Sequence, residues 1–412
     1  MTMIADTETL AAFCAQLARA DFITVDTEFM RERTYWPQLC LIQVAGPDVA
    51  STIDPLAPGI DLRPLLDLLF EPRLLKVFHA ARQDLEIFFH MTGRVPFPLF
   101  DTQVAAMVCG YGEAASYETL AGQLAKVRID KSARFTDWSQ RPLSDRQLEY
   151  ALADVTHLRP VYAALARRLT ATGRADGLGE EMATLLDPAT YRLDPDTAWM
   201  RFKPRNVRPR YLAVLKSVAA WREREAQKRD IPRNRIIRDE SVVEIAAHPP
   251  RKLDDLAKLR GMSKGFAEGR LGGDLLQAIE RGLSLPDDEI PRVDPTPDLP
   301  GGLGATVDLL KVLLKVKCDA TGVAQKLVAT TADLEAIAAD DRAGVAALRG
   351  WRHELFGRAA IDLKHGRLAL GLEGRRLRIL DVAGPGAGAG ATDAPAEAPL
   401  SAEPAAAAAD DA

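Results

Sequence analysis

The sequence is poor in cysteine and has no long hydrophobic run. Only four cysteines occur among the 412 residues and none forms a CxxC pair, which argues against a disulfide framework or a zinc site. We expect each cysteine to be a small core residue. No window approaches about 18 consecutive apolar residues, and the N-terminus shows no basic segment followed by an apolar one. These absences predict a reduced, cytoplasmic protein with no signal peptide and no membrane partner.

The sequence also lacks a GxxxxGK[ST] phosphate-binding loop, which disfavours a helicase. Its net charge of −5 shows no basic excess of the kind typical of nucleic-acid-binding proteins. This average is misleading, because the first 200 residues hold 19 basic and 27 acidic residues, whereas residues 201–238 hold 13 basic and three acidic ones. Aromatic residues are interspersed in that basic stretch, as is typical of phosphate contact with occasional base stacking. The alternative is a solvated helix face with a basic linker.

The length corresponds to two or three domains. Residues 1–200 begin with strand patterns, FITVDTEF and LCLIQVA, which predict a hairpin, and continue with helical periodicity. This order predicts a mixed α/β domain. Two helical blocks follow, at residues 205–284 and 304–382, and the order of their elements suggests a diverged repeat. Between them, the Pro- and Asp-rich residues 285–303 are interpreted as a linker.

The end of the chain has a different composition. Residues 383–412 are rich in Ala, Pro and Gly, with five acids and no basic residue. Because they lack the bulky apolar side chains that offset ordering entropy, we expect this tail to be disordered.

Carboxylates on several predicted elements are candidates for one shared site. Asp26 and Glu28 are two apart in a strand, so both side chains point to one face. Alone, such a pair is more typical of a solvent-exposed face, since neighbouring buried acids repel each other unless a cation binds between them. Asp84 lies on a predicted helix, and Tyr150 and Asp154 are one turn apart on a later one. Each of these is also compatible with an ordinary amphipathic helix.

Taken together, the four carboxylates fit a site for hard divalent cations. Mg²⁺ and Mn²⁺ prefer oxygen ligands. Two such ions about 3.5–4 Å apart can clamp the attacking and leaving oxygens of a phosphodiester, and this needs carboxylates from separate elements. A strand and two helices supply them here, so the set predicts metal-dependent phosphodiester hydrolysis.

The order of these motifs, DxE on a strand, Asp on a helix and Tyr-x₃-Asp on a later helix, resembles the ribonuclease D family in the tyrosine subclass of the DEDD exonucleases. The segments that carry the resemblance are VDTEFMRERTYWPQLCLIQVA, VFHAARQDLEIF, FDTQVAAM and DKSARFTDWSQRPLSDRQLEYALADVTHL. The resemblance implies an RNase H-like mixed-sheet exonuclease domain. It also implies that Asp26, Glu28, Asp84 and Asp154 bind two divalent ions, Mg²⁺ or Mn²⁺, and that Tyr150 orients or helps to deprotonate the attacking water. Since a free phenol has a pKa near 10, we expect Tyr150 mainly to position that water.

The helical blocks carry a second resemblance. YLAVLKSVAAWREREAQKRDIPRNRIIRDESVVEIA, LAKLRGMSKGF and LLQAIERGL resemble an HRDC domain. The later block is similar only in part, through DLLKVLLKVKCDATGVAQKLVATTADLEAIA and GWRHELFG. The resemblance therefore implies an exonuclease domain at residues 1–200, an HRDC domain at 205–284 and a diverged HRDC-like domain at 304–382.

Other polar residues allow two interpretations. Asp101 precedes a helical pattern, which favours an N-cap over a fifth ligand, and His79 is interpreted as structural. Trp138 could stack on a base or act as a packing anchor. Glu28 could also contact the terminal 3′ hydroxyl. We predict that a polar loop and the basic stretch contact the substrate, through Lys131, Trp138, Arg141, Arg208, Arg210, Lys228, Arg229 and Arg233.

These patterns favour a monomeric, metal-dependent 3′→5′ exoribonuclease that trims structured RNA 3′ ends, such as tRNA precursors, to nucleoside 5′-monophosphates. A DNA 3′→5′ exonuclease would use the same chemistry and is an alternative. A non-catalytic RNA-binding protein on a nuclease fold is another, but crowded carboxylates are costly to keep when they perform no chemistry.

Overall fold

A five-stranded mixed sheet lies at the centre of the first part of the chain. The computed structural model describes residues 3–204, 208–293 and 301–382, so the predicted tail and residues 294–300 of the predicted linker lie outside the described residues. The strands are β1 (Phe22–Met30), β2 (Gln38–Ala45), β3 (Ala50–Ile53), β4 (Leu75–Phe78) and β5 (Leu99–Asp101). Their order is β3-β2-β1-β4-β5, antiparallel on the β2 and β3 side of β1 and parallel on the β4 and β5 side. The predicted hairpin and the mixed α/β class are confirmed.

Helices cover this sheet and contribute to one shared apolar core. They are α1 (Thr7–Leu17), α2 (Arg63–Leu69), α3 (Arg82–Thr92), α4 (Thr102–Val108), α5 (Tyr117–Leu120), α6 (Asp145–Thr156), α7 (Leu158–Thr172) and α8 (Ala175–Leu186). A π-helical turn at Ala121–Ala125 extends α5, and 3₁₀ turns occupy Pro188–Thr190 and Pro195–Phe202. Two successive helices meet at His157, because α6 ends at Thr156 and α7 begins at Leu158.

The next part of the chain is helical and has its own apolar core. Its helices are α9 (Pro209–Arg229), α10 (Arg233–Ile236), α11 (Asp239–Ala247), α12 (Leu253–Leu256), α13 (Lys264–Glu268) and α14 (Arg270–Ser284). Gly282 lets α14 approach α9 closely, since a Cβ there would lie 2.7 Å from the Val214 Cα. This core also includes Trp199, which precedes α9, and Tyr35 from the loop between β1 and β2.

The last described part is a third helical unit, again with its own core. Its helices are α15 (Gly304–Thr321), α16 (Gln325–Val328), α17 (Thr331–Ala339), α18 (Gly350–Arg352) and α19 (Arg358–Lys364), with a 3₁₀ turn at Ala346–Leu348 and a π-helical turn at His353–Gly357. An antiparallel hairpin of β6 (Leu368–Glu373) and β7 (Arg376–Asp381) follows α19. The sequence patterns did not predict this hairpin.

Polar contacts attach the second unit to the loop between β1 and β2. The backbone N–H groups of Tyr35 and Trp36 donate to Asp230 Oδ1 at 3.0 and 2.9 Å. The Tyr35 hydroxyl donates to Glu223, whose carboxylate also accepts from the Arg233 Nε at 2.6 Å. Because this loop is continuous with β1, the second unit holds the end of the strand that carries Asp26 and Glu28.

The third unit contacts the first at α4 and α8. The Ala324 N–H donates to the Met107 carbonyl at 3.0 Å, and the guanidinium of Arg352 lies 2.6 Å from Glu180 and also pairs with Glu181. Gly110 permits close approach here, since its φ is +86° and a Cβ would meet the Gly322 carbonyl. Both helical units are therefore docked on the sheet-containing part.

Candidate active site

The acids predicted as metal ligands line one cleft of about 490 Å³. Asp26 and Glu28 lie on β1, Asp84 on the first turn of α3 and Asp154 on α6. One oxygen from each of Asp26, Glu28 and Asp154 lies within 4.8 Å of the other two. Asp84 lines the same cleft and accepts a hydrogen bond from the hydroxyl of Thr27 on β1.

Local structure fixes the orientation of these side chains. A β-bulge follows Glu28, because the pairing of β1 with β2 changes register between Glu28 and Phe29. At the start of α6, Ser144 and Gln147 form a reciprocal capping box. This cap sets where the helix begins, and therefore which turn presents Tyr150 and Asp154 to the cleft.

Asp101 stabilises the turn that precedes α3, the helix that carries Asp84. Its carboxylate accepts from the N–H groups of Ala80 and Ala81 at 3.0 and 2.8 Å, and from Gln103 at 2.7 Å. It therefore caps α4, which confirms the N-cap interpretation, and it also ties down the turn between β4 and α3. Ala80 lies in that turn with a φ of +58°, a conformation that costs free energy and that the Asp101 contacts stabilise.

Burial raises the pKa of all four carboxyl groups, and repulsion by neighbouring acids raises it further for Asp26, Glu28 and Asp84. Burial is the largest cause for each, followed for Asp26 by the charge of Asp154 and for Asp84 by that of Asp26. The pKa of Glu28 rises to about 10, and that of Asp154 rises to about 7. Such a set is unfavourable when fully ionised without a counter-charge, and its donor atoms are the oxygens that hard divalent cations prefer. The residues therefore fit a divalent metal ion.

Tyr150 contacts this cluster directly. Its hydroxyl lies near the Asp154 carboxylate and lowers the pKa of that group against the raising effect of burial. Burial, and then the charges of Asp154, Glu28 and Asp26, hold the pKa of the phenol above its usual value. Tyr150 is therefore protonated at neutral pH, and the arrangement suits a hydrogen-bond donor that orients other groups rather than a general base.

We expect Asp154→Asn to remove a pH-dependent loss of stability. The folded-state pKa of about 7 exceeds the ordinary aspartate value of 3.8, so the folded protein binds more protons between these pH values and its free energy of unfolding falls as pH rises through them. The variant lacks this group, so its stability relative to the unsubstituted protein should increase over that interval. Urea unfolding in EDTA at several pH values checks this, and a difference that stays constant or shrinks with pH would contradict it.

Predicted substrate contacts in the polar loop divide into two groups. Lys131 lines the cleft, where it pairs with Glu118. Trp138 is only 2% exposed and packs behind Tyr150, with ring centroids 6.1 Å apart, so the packing interpretation applies and base stacking is sterically blocked. Arg141 uses all five N–H groups within the protein, on Asp54 and on the carbonyls of residues 40, 138 and 140, so it has no donor left for a phosphate.

Much of the basic stretch is neutralised within the protein. Arg210 pairs with Asp287 at 2.7 Å, Arg229 with Glu225 at 2.9 Å and Arg233 with Glu223 at 2.5 Å. Arg222 is buried and pairs with Asp239 at 2.6 Å. The predicted contacts Arg208 and Lys228 lie exposed on the surface. The positive charge available to an RNA is therefore smaller than the sequence count suggests.

The cleft is also lined by one histidine and two aromatic residues. His79 shares a hydrogen bond of 3.0 Å with Thr102, and burial lowers its pKa to about 4, which agrees with a neutral structural histidine. Sequence reasoning missed Tyr117, whose hydroxyl donates to the Ala153 carbonyl at 2.9 Å, and Phe135, which is exposed. No sequence signal separates an aromatic side chain that lines a cleft from one that packs in a core.

Comparison with known proteins gives consistent matches along the chain. A family model described as 3′-5′ exonuclease matches residues 1–170, and an HRDC domain model matches residues 211–279. The sequence is 53% identical over 380 residues to Ribonuclease D of Nitrobacter hamburgensis, covering 92% of this chain and 99% of the relative. It is 49% identical over 387 residues to Ribonuclease D of Granulibacter bethesdensis, covering 92% and 96%.

A solved structure shows the same similarity. The crystal structure of Escherichia coli RNase D, described as an exoribonuclease involved in structured RNA processing, matches with a TM-score of 0.77 and 31% sequence identity. The match covers 89% of this chain and 98% of that one. Within residues 3–204, 208–293 and 301–382, none of the helices combines the length and the apolar character needed to cross a membrane.

Proposed function

Because the chain belongs to the ribonuclease D family of 3′→5′ exoribonucleases, we propose that it trims RNA with two divalent ions, Mg²⁺ or Mn²⁺, held by Asp26, Glu28, Asp84 and Asp154. The observation that carries this proposal is the convergence of Asp26, Glu28 and Asp154 within 4.8 Å in one cleft. Carboxylates that crowd at such cost without a charged partner are best explained by a bound cation.

The chemistry follows from the groups around the cleft. Divalent ions bound there would acidify the attacking water and neutralise charge on the phosphodiester. The Tyr150 hydroxyl is placed to orient that water, and Glu28 can accept a hydrogen bond from the terminal 3′ hydroxyl. Lys131 and Arg134 line the cleft and add positive charge for the RNA backbone. Attack from the side opposite the 3′ oxygen would release a nucleoside 5′-monophosphate.

We further propose that the substrates are structured RNA 3′ ends, including tRNA precursors. The similarity to Escherichia coli RNase D supports this choice. We propose three domains, namely an exonuclease domain at residues 1–200, an HRDC domain at 205–284 and a diverged HRDC-like domain at 304–382. The exposed basic side chains of Arg208 and Lys228 would contact the body of the RNA. We propose that the protein acts as a monomer in the cytoplasm.

The direct test is a nuclease assay with a 5′-labelled tRNA that carries a 3′ extension. We expect stepwise shortening by single nucleotides with Mg²⁺ or Mn²⁺, release of 5′-monophosphates, and no cleavage in EDTA. A 3′-blocked copy of the RNA and a DNA of the same sequence serve as controls. Internal cuts, 3′-monophosphate products or full activity in EDTA would contradict the proposal, and faster cleavage of the DNA would favour a DNA exonuclease.

A further inference from the structure

Phe135 is a large apolar side chain that the fold leaves in solvent. It is 90% exposed, more than any other large hydrophobic residue in the described ranges, of which Leu372 comes next at 77%. Single exposed apolar residues are common on protein surfaces, so exposure alone indicates nothing. What distinguishes Phe135 is its position, because it lines the same cleft as the four carboxylates.

The backbone around Phe135 is anchored to the helix that carries Tyr150 and Asp154. The Thr136 hydroxyl donates to the Ala133 carbonyl at 2.7 Å and accepts from Gln147 Nε2 at 3.0 Å. Gln147 belongs to the capping box of α6. Phe135, which lines the cleft, therefore lies on a tethered turn, which limits the entropy lost when a ligand contacts it.

Arg134 links this ring to the acidic cluster. Its guanidinium carbon lies 5.1 Å from the centroid of the Phe135 ring. Arg134 also lines the cleft that contains Glu28 and Asp154. Neighbouring side chains thus offer a cation close to the carboxylates and a flat apolar surface beside it.

We propose that Phe135 is a stacking platform for a base near the 3′ end of the RNA, with Arg134 beside it as a contact for the backbone phosphate. This inference rests on the proposed exonuclease function. Stacking on an aromatic ring tolerates any base, as an enzyme that removes successive nucleotides requires. Trp138, which lies on the same loop, is buried and cannot serve this purpose.

The experiment compares F135A with the unsubstituted protein on RNA that carries ordinary or abasic nucleotides at its last few positions. Loss of a base stack should raise KM, and weaken RNA binding measured in EDTA, by about 5- to 150-fold on ordinary RNA. The two proteins should differ little on abasic RNA. The value of kcat should change much less than KM, and F135W should restore the KM of the unsubstituted protein.

L372A is the matched control, because it truncates an exposed apolar side chain that does not line the cleft. It should leave KM and RNA binding unchanged, and neither variant should alter the thermal unfolding midpoint. Equal RNA binding by F135A and the unsubstituted protein, or an equal defect on abasic RNA, would overturn the inference. Absence of metal-dependent cleavage by the unsubstituted protein would instead contradict the proposed function, and the binding comparison would still decide the role of Phe135.

Discussion

Asp26→Asn is expected to lower kcat for RNA hydrolysis by about 100-fold or more. Loss of a residue that only hydrogen-bonds to a metal ligand costs up to about 100-fold, and loss of a ligand should cost at least as much. The amide keeps the shape of the side chain but removes one anionic ligand from a cluster whose oxygens lie within 4.8 Å. The same change removes charge repulsion, because the charge of Asp26 is one of the causes that raise the pKa of both Glu28 and Asp84. In EDTA the variant should therefore unfold at a higher temperature than the unsubstituted protein.

Asp48→Asn is the matched control, since it makes the identical substitution at an exposed position just after β2. It should change neither activity nor thermal stability. Calorimetric titration with Mn²⁺ should show weaker binding for Asp26→Asn only. Retained activity in the Asp26 variant, or a loss of activity that follows from unfolding, would refute the assignment of this carboxylate.

The expected loss of activity and gain of thermal stability in Asp26→Asn mean that the acidic cluster lowers the stability of the metal-free protein. A fold selected for stability alone would not place four acids in one cleft, two of them buried and two half-buried, because ionising them there is unfavourable. Other contacts offset this loss of stability, for example the hydrogen bonds of Asp101 that fix the turn before α3. We therefore expect added divalent metal to stabilise the folded protein in proportion to its binding.

The sequence predicted the pairs within the acidic cluster because their spacing is local. Two residues along a strand and four along a helix fix a common face, whatever the rest of the chain does. That logic placed Asp26 beside Glu28, and Tyr150 beside Asp154. It could not decide whether Trp138 stacks on a base or packs in the core, because burial depends on contacts such as those of the apolar cluster that Trp138 shares with Cys40 and Leu41.

Charge counts failed for a similar reason. A count along residues 201–238 gives a strong basic excess, but several of the acids that pair with it lie outside the stretch. Arg224 pairs with Asp196, which precedes the stretch, and Arg210 with Asp287, which follows it. Short elements were missed as well, since β3 and β5 have only four and three residues and their pairing depends on neighbouring strands.

The second large effect is expected for Arg233→Ala. It should lower the free energy of unfolding by about 3 kcal/mol, the lower end of the cost of removing one partner of a buried ion pair, because Arg201 remains 4.0 Å from Glu223. The carboxylate of Glu223 is buried, and Arg233 pairs with it at 2.5 Å and also donates to the Tyr35 hydroxyl at 2.8 Å. Arg224→Ala is the matched control, because its pair with Asp196 is exposed and should contribute less than about 1 kcal/mol. Urea unfolding measures both changes.

A double substitution separates the lost charge pair from lost packing. If the penalty arises from the unpaired Glu223 carboxylate, then Arg233→Ala combined with Glu223→Leu should recover part of the stability lost in the single variant, since no buried charge remains. The single variant should also expose the loop that contains Tyr35 to faster amide hydrogen exchange, because this loop is bound to Glu223, Arg233 and Asp230. Since the loop continues directly from β1, activity should fall with it. A single variant as stable as the Arg224→Ala control would show that these contacts do not hold the helical unit to β1.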